Sequence, residues 1–349
     1  MAIRVALVGT GNCGRLALIQ LIEDPRFELV AVGTSTESKV GVDAGELAGL
    51  DIRTGVAATL GMDDAIAAAP DCLVYCAMGD TRPVEATRDV MAALAAGINV
   101  VGSAPGGLQF PWGAMPEKAI ARVEEAARQG NSSVFITGVD PGFVTDLLPL
   151  ALASTCQSIS QIRTMEIADY ATYDGATVMF DVMGFGNAIG DLPFLYQPGM
   201  LSAAWGVGIR QLAAGLGLAV DEIRDSVEQE PAPEDFDVAV GTIKKGTVAA
   251  VRFLIEGLVG GEPVIVVEHI TRLRGDLRPD WAQPAQEGGS YRVEITGEPS
   301  YVMDICPTSR NGDHNYAAIL AAAAVTVAVA VVDATIVVAA AVTTKAGKS

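Results

Sequence analysis

Short apolar runs alternate with amphipathic stretches over residues 1–150 of the chain. Ile3 to Val8 and Phe27 to Val32 read as strands, and a weaker one follows near Ile52 to Val56. Asp71 to Ala77 is a continuous apolar run bounded by Pro70 and Gly79, the pattern of a central strand covered on both faces. Ile98 to Gly102 and Val134 to Val139 complete the series, and Arg82 to Ala96 and Pro116 to Gln129 carry helical periodicity between them. This alternation predicts a doubly wound α/β domain of Rossmann type, a parallel sheet with helices on both faces, over 1–150.

The pattern changes after the helix-like stretch Val144 to Ser154. Strand-like runs at Ile162 to Ile167, Val248 to Leu258, Val264 to Leu273 and Tyr291 to Thr296 predict a second α+β domain of mostly antiparallel sheet over 151–313. Val259-Gly260-Gly261-Glu262-Pro263 is a hairpin signal. Leu201 to Leu216 reads as a helix, and the acidic, proline-bearing stretch Glu228 to Asp237 reads as a loop. Residues 314–349 form a third segment, expected to be helical and to return to the first domain. Its core, Ala317 to Val342, is almost wholly Ala, Val, Ile and Thr. Its length would allow a membrane span. Asp333 splits it and no aromatic belt flanks it, so a buried helix followed by an extended segment is the expected form.

Composition narrows the partners. Among 349 residues, 42 Asp and Glu against 23 Lys and Arg give a net charge of -19, which argues against nucleic acid and anionic membrane surfaces. The five cysteines show no Cys-x-x-Cys and no metal-like spacing, and buried free thiols fit a cytoplasmic setting. The two histidines, His269 and His314, lie far apart, so a histidine-rich metal site is not expected. The N-terminus already reads as the first strand, so no signal peptide is expected.

The first strand runs into Gly9-Thr10-Gly11-Asn12-Cys13-Gly14, followed by a helix pattern. In that position Gly9 permits the tight turn. Gly11 lets backbone approach a pyrophosphate, and Gly14 lets the helix pack close to the strand. The expectation is a nicotinamide dinucleotide at the helix N-terminus. Strand two ends in Gly33-Thr34-Ser35-Thr36-Glu37-Ser38-Lys39, without the carboxylate that usually binds both ribose hydroxyls of NAD. Ser35, Thr36 and Lys39 suit a 2′-phosphate and favour NADP. Glu37 keeps NAD open.

Chemistry is expected beyond the carboxyl ends of the parallel strands. The loops there are the glycine turn, Met78-Gly79-Asp80, Ser103-Ala104-Pro105-Gly106-Gly107 and Asp140-Pro141-Gly142-Phe143. Met78, Gly79 and Pro141 are placed near the cofactor, and the Asp140 carboxylate near the hydride-transfer centre. The segment from Asp169 to Gly186 mixes aromatics, methionines and carboxylates. Tyr173, Met179, Phe180 and Phe185 are its candidates to line a small apolar pocket, with interdomain core as the competing reading. No cysteine sits in a plausible nucleophile loop, and no Tyr-x-x-x-Lys occurs. Hydride transfer to C=O or C=N remains, with a carboxylate or tyrosine moving the proton.

The glycine turn, Lys39-Val40-Gly41-Val42-Asp43-Ala44-Gly45-Glu46-Leu47, Asn99-Val100-Val101 and Gly138-Val139-Asp140-Pro141-Gly142-Phe143, in that order, resemble the 2,4-diaminopentanoate dehydrogenase and native amine dehydrogenase family. Its N-terminal domain is related to that of dihydrodipicolinate reductase, whose own histidine-lysine segment is absent here. The resemblance covers most of the chain to about residue 316. It implies NAD(P)H-dependent reductive amination of a small ketone or aldehyde with ammonia, or the reverse amine oxidation, in a homodimer. Two departures stand out. The family's glutamate after the Asn99-Val100-Val101 strand is missing from Ala104-Pro105-Gly106-Gly107-Leu108, and the asparagine usual before Pro141 is Asp140. Asp140 is therefore the catalytic candidate. A carbonyl or ene-imine reductase of another substrate class and a non-catalytic NADP-binding sensor are the alternatives.

Overall fold

The computed structural model describes residues 2–79, 81–307 and 329. Asp80 and, apart from Val329, the segment 314–349 with its expected return to the first domain lie outside the described residues. Two compact units divide between Val139 and Asp140.

The first unit runs β1 (Ile3–Val8), α1 (Asn12–Glu23), β2 (Phe27–Thr34), α2 (Ala44–Ala48), β3 (Ala58–Leu60), α3 (Asp63–Ala67), β4 (Cys72–Tyr75), α4 (Pro83–Ala95), β5 (Asn99–Gly102), α5 (Glu117–Gly130) and β6 (Val134–Ile136). Its sheet order is β3-β2-β1-β4-β5-β6. Every neighbouring pair is parallel. This is the doubly wound order, with its switch point between β1 and β4, so the turn leaving β1 is where a ligand belongs. Side chains alternate along β1: Val5 and Leu7 enter one core with Leu18 and Leu21 of α1, while Ala6 and Val8 enter the other with Val90 and Leu94 of α4. The strand expected at Ile52 to Val56 forms later, at β3. The Asp43 carboxylate takes the backbone N–H groups of Thr54 (3.0 Å), Gly45 (2.8 Å) and Gly55 (2.8 Å) and so curls this stretch into a turn. Those bonds, the one from Thr54 foremost, hold its pKa down at about 2.

The second unit contains α6 (Leu147–Ala153), β7 (Ser158–Asp169), α7 (Met200–Leu216), β8 (Glu222–Pro231), β9 (Phe236–Val238), β10 (Gly241–Ile243), β11 (Val248–Val259), β12 (Glu262–Arg272), β13 (Gly289–Glu298) and β14 (Tyr301–Ile305). The turn at 140–143 and α6, expected at the end of the first domain, belong here because α6 packs on β7, β13 and α7. The large sheet runs β14-β13-β7-β12-β11-β8. Only its β7–β12 pair is parallel. The hairpin between β11 and β12 turns on Gly260 (φ 63°) and Gly261 (φ 85°), two successive left-handed residues. The stretch Glu228 to Asp237, expected as a loop, supplies the end of β8 and the start of β9. β8 is an edge strand with charge on its open face at Glu222, Arg224, Glu228 and Glu230, so it shows no apolar signature.

β11 alternates Val251, Phe253 and Ile255 toward α7 with Arg252, Leu254 and Glu256 on the other face. α7 comes close because its contact points are small. A Cβ added at Gly257 of β11 would stand 2.5 Å from Ile209 Cγ2 of α7. The Gly257→Ala variant is expected to lose about 1–3 kcal/mol by overpacking. Urea unfolding of the two proteins measures it, and an unchanged midpoint would show that α7 floats on the sheet.

Candidate active site

The glycine turn has the geometry a dinucleotide requires. Gly9 sits at φ 102°, a value L side chains avoid. A Cβ at Gly14 would lie 1.7 Å from Gly9 O, so α1 can start this close to β1 only without a side chain there. A Cβ at Gly11, by contrast, meets nothing within 4 Å, which leaves open space over the turn. Gly11 is also the N-cap of α1 and offers no side-chain cap, so the first N–H groups of the helix remain available to a phosphate. A cavity of about 370 Å³ adjoins, lined by Thr10, Gly11, Asn12, Arg15, Lys39 and Glu46 among others. Lys39 Nζ donates to Thr10 O at 2.6 Å and so stands over the turn. These residues fit a nicotinamide dinucleotide.

The other residues expected at the cofactor are placed variously. Ser35 and Thr36 are exposed and do not line that cavity, whereas Arg15 and Glu46, which sequence reasoning passed over, do. Thr34 is buried, its Oγ1 2.9 Å from Thr10 Oγ1, tying the end of β2 to the turn. Cys13 Sγ lies 3.8 Å from Cys76 Sγ. Met78 is exposed, and Gly79 is packed where a Cβ would meet Ala104 Cβ at 2.7 Å. Pro141 lies in the second unit, in the turn that carries Asp140.

That turn is held from within. Gly142, at φ 144°, donates its N–H to Thr145 Oγ1 at 2.9 Å, and Thr145 and Asp146 return their N–H groups to Gly142 O. The Asp146 carboxylate takes the N–H of Leu147 and caps α6. α7 passes close by at Gly208, where a Cβ would approach Thr145 Oγ1 to 3.3 Å and Pro141 Cβ to 3.7 Å. Asp140 is thereby fixed over the helix-covered face of the large sheet.

Strand register builds the rest. Phe253 of β11 pairs with His269 of β12, His269 with Glu166 of β7, and Glu166 with Tyr291 of β13. Directly opposed residues share a face, so four strands present one row of side chains. His269 lies flat on Phe253 (4.5 Å between ring centroids, 13° between planes) and edge-on to Trp205 of α7 (4.9 Å). Its Nε2 is 2.6 Å from Asp140 Oδ2, and its Nδ1 is 3.9 Å from Glu166 Oε1. Tyr170 donates to Glu166 Oε1 at 3.5 Å. The Asp140, Glu166 and His269 side chains are 2 %, 13 % and 7 % exposed. The Nε2–Oδ2 contact is a close charge pair whose N–H misses the line of a hydrogen bond, and Asp140 Oδ1 is buried with no partner among the described residues. Oδ1 is therefore an acceptor in want of a donor, in a setting where the lack costs about 1–3 kcal/mol.

Burial opposes charge on the imidazole, but the Asp140 and Glu166 carboxylates outweigh it and raise the His269 pKa. Burial first, and then the Asp140 charge, raises that of Glu166, against the pull of His269. Burial and the Glu166 charge lift the Tyr291 and Tyr170 phenols well above their ordinary range.

Of the pocket candidates, Met179 and Phe185 are fully buried core. Phe180 is half-buried beside Gly186 and Gly241, and Tyr173 stacks on Tyr170 at 5.3 Å. It is Tyr170, not Tyr173, that reaches the acid cluster. Sequence reasoning missed His269, Glu166, Trp205, Phe253 and Tyr291. The one signal was Glu268-His269, two polar residues in the otherwise apolar stretch Val264 to Ile270.

Because folding raises the pKa of His269, the native state keeps a proton that the unfolded chain releases above about pH 6.5. The stabilisation is complete below that pH and is lost as pH rises through the folded value. Glu166, also raised, works in the same direction from its own lower starting point. Melting temperature is therefore expected to fall from pH 6.5 toward alkaline pH, with a shallower slope in His269→Gln. Equal slopes in thermal melts of the two proteins would contradict a charged His269.

Residues 143–344 match the 2,4-diaminopentanoate dehydrogenase C-terminal domain family. The chain is 39 % identical over 299 residues to an amine dehydrogenase of Streptomyces virginiae, covering 85 % of this chain and 83 % of that one. It is 26 % identical over 324 residues to the 2,4-diaminopentanoate dehydrogenase of Acetoanaerobium sticklandii, covering 89 % and 85 %. The amine dehydrogenase structure from Mycobacterium smegmatis shares the fold at a TM-score of 0.71 and 19 % identity, over 95 % of this chain and 92 % of that one. The chain thus belongs to the amine dehydrogenase and 2,4-diaminopentanoate dehydrogenase family of oxidoreductases.

Proposed function

We propose that this enzyme interconverts a small ketone or aldehyde plus ammonia with the corresponding primary amine, and that Asp140 is its acid–base residue. The observation that carries the assignment is the buried Asp140 carboxylate, 2.6 Å from His269 on one oxygen and without a partner among the described residues on the other. Reductive amination turns a carbonyl compound, an ammonium ion, a hydride and one proton into a protonated amine and water. The nicotinamide supplies or accepts the hydride at the substrate carbon. The protein must move protons at nitrogen and oxygen. In the aminating direction the carboxylate takes a proton from ammonium, which frees the nucleophile. As a carboxylic acid it then gives a proton to the departing hydroxyl of the carbinolamine. The 104–108 loop offers no carboxylate for this work, and Asp140 is the acid the chain holds ready.

Lys39 and Arg15 beside the glycine turn support NADP as the preferred cofactor, although Glu46 lines the same cavity and leaves a place for the hydroxyls of NAD. We carry the homodimer and the cytoplasmic setting as parts of the same reading. None of the described helices is long and apolar enough to cross a membrane.

Asp140→Asn is expected to lower turnover of an amine–ketone pair by about 10²–10⁴-fold. Its cofactor affinity, followed by NADPH fluorescence, should be unchanged. Wild-type turnover in the variant would remove Asp140 from the chemistry. Lys39→Glu is expected to raise the KM for NADPH at least about tenfold while sparing NADH. Equal effects on both would show that Lys39 supports the turn rather than reading a 2′-phosphate.

A further inference from the structure

Asp140 does not face its histidine alone. The ring of His269 is bracketed by two carboxylates on different nitrogens, Asp140 at Nε2 and Glu166 at Nδ1. Phe253 supports one face of the ring and Trp205 lies edge-on to it, so its plane is set by packing rather than by either acid. Glu166 is in turn approached by Tyr170 and stands opposite Tyr291 in the ladder. We propose that Asp140, His269 and Glu166 form a catalytic triad in which Glu166 is a positioning residue that pins Nδ1–H, leaving the Nε2 proton free to pass between His269 and Asp140. The inference rests on the acid–base reading of Asp140.

The step is a single proton transfer. Once a small turn of the Asp140 carboxylate brings Oδ2, 2.6 Å away, into line with Nε2–H, that bond of the imidazolium breaks, an O–H bond forms on Oδ2, and the pair changes from imidazolium and carboxylate to neutral imidazole and carboxylic acid. Asp140, its ammonium proton already spent on the departing hydroxyl, delivers this second proton to the nitrogen of the newly formed amine, or the sequence runs backward in amine oxidation. Glu166 gives up nothing. Its charge favours the imidazolium, and its acceptor oxygen keeps the remaining proton on Nδ1, so the ring re-forms the tautomer that Asp140 needs. The Nδ1–Oε1 separation of 3.9 Å is loose, as such contacts often are before substrate binds.

The three groups can also bring one ligand atom each to within 4.8 Å of the others, close enough for an ion. The ring, however, turns different nitrogens toward the two acids, and a single ion takes only one of them. Proton transfer uses both.

The charged surroundings of His269 are few. Asp140 comes from the turn before α6, Glu166 from β7, and Glu268 from the opposite face of its own strand, while α7 and β11 contribute the rings of Trp205 and Phe253. Tyr170 and Tyr291 reach the ring through Glu166. The chain has only His269 and His314, so imidazole NMR resolves the site directly, with His314→Gln assigning the signals.

In the wild-type protein, the Cε1–H signal of His269 is expected to titrate above the ordinary histidine value. Glu166→Gln should lower its midpoint by about one pH unit, and Asp140→Asn should also lower it. The alkaline limb of kcat/KM for reductive amination should move the same way in Glu166→Gln, with the KM for cofactor unchanged. Glu166→Asp should restore both readouts in part. A wild-type His269 that titrates at its ordinary value, a midpoint indifferent to Glu166→Gln, or an imidazole that becomes titratable only after chelator treatment would overturn the triad. Shifted midpoints in a protein that turns over no amine would uphold the triad and sink the amine reading.

Discussion

The second unit is organised around one costly arrangement, an imidazole and two carboxylates held under a helix. Taking charges from water costs several kcal/mol per ion, and their mutual attraction recovers it only when geometry is tightly set. The structure sets that geometry with groups that carry no charge themselves. Phe253 and Trp205 fix the ring, Thr145 fixes the turn of Asp140, and Gly208 and Gly257 let α7 lie close enough to exclude water. The aromatic layer is thus part of the electrostatics. It lowers the local dielectric, which strengthens the Asp140–His269 pair and makes Asp140 Oδ1, without a partner among the described residues, avid for a donor.

The opposite face of the same sheet handles a buried carboxylate differently. Glu268 is 1 % exposed, but it is clamped between Arg163 and Arg252, with Arg252 also reaching Glu228. Every charge there has a structural partner. One position along β12, the chain reverses face and leaves His269 between two acids, with acceptor capacity to spare. Two neighbouring residues of one strand therefore separate a closed ion-pair network from an open one, in which Asp140 Oδ1 has no partner among the described residues.

The first unit was largely legible in the sequence, because its information is local. Apolar runs marked β1, β2, β4 and β5 to within a few residues, and Gly9, Gly11 and Gly14 each have a steric reason visible from spacing alone. Errors arose where a side chain reorganised backbone. Asp43 curls residues 43–56 and moves the third strand, and charged residues on the open face of β8 hide an edge strand as a loop. The cluster in the second unit was not legible beyond Asp140. Its members come from the 140–145 turn, β7, α7, β11, β12 and β13, and only the register of the strands puts Phe253, His269, Glu166 and Tyr291 in line. The spacing of His269 and His314 speaks only to a histidine-rich metal site and says nothing of His269 alone. Its setting in a buried apolar strand was the better clue, since such a position demands a partner from elsewhere in the fold.

Two features of this chain are best understood together. The 104–108 loop holds no carboxylate, and the carboxylate at 140 is buried. That burial is tolerated because His269 stands 2.6 Å away. An asparagine at 140 would need no cationic neighbour. An aspartate there does, and Asp140 itself, with Glu166 on the far side of the ring, favours the charged form of His269. Asp140, His269 and Glu166 therefore make physical sense only as a set, in which the charge of each is a condition for the burial of the next.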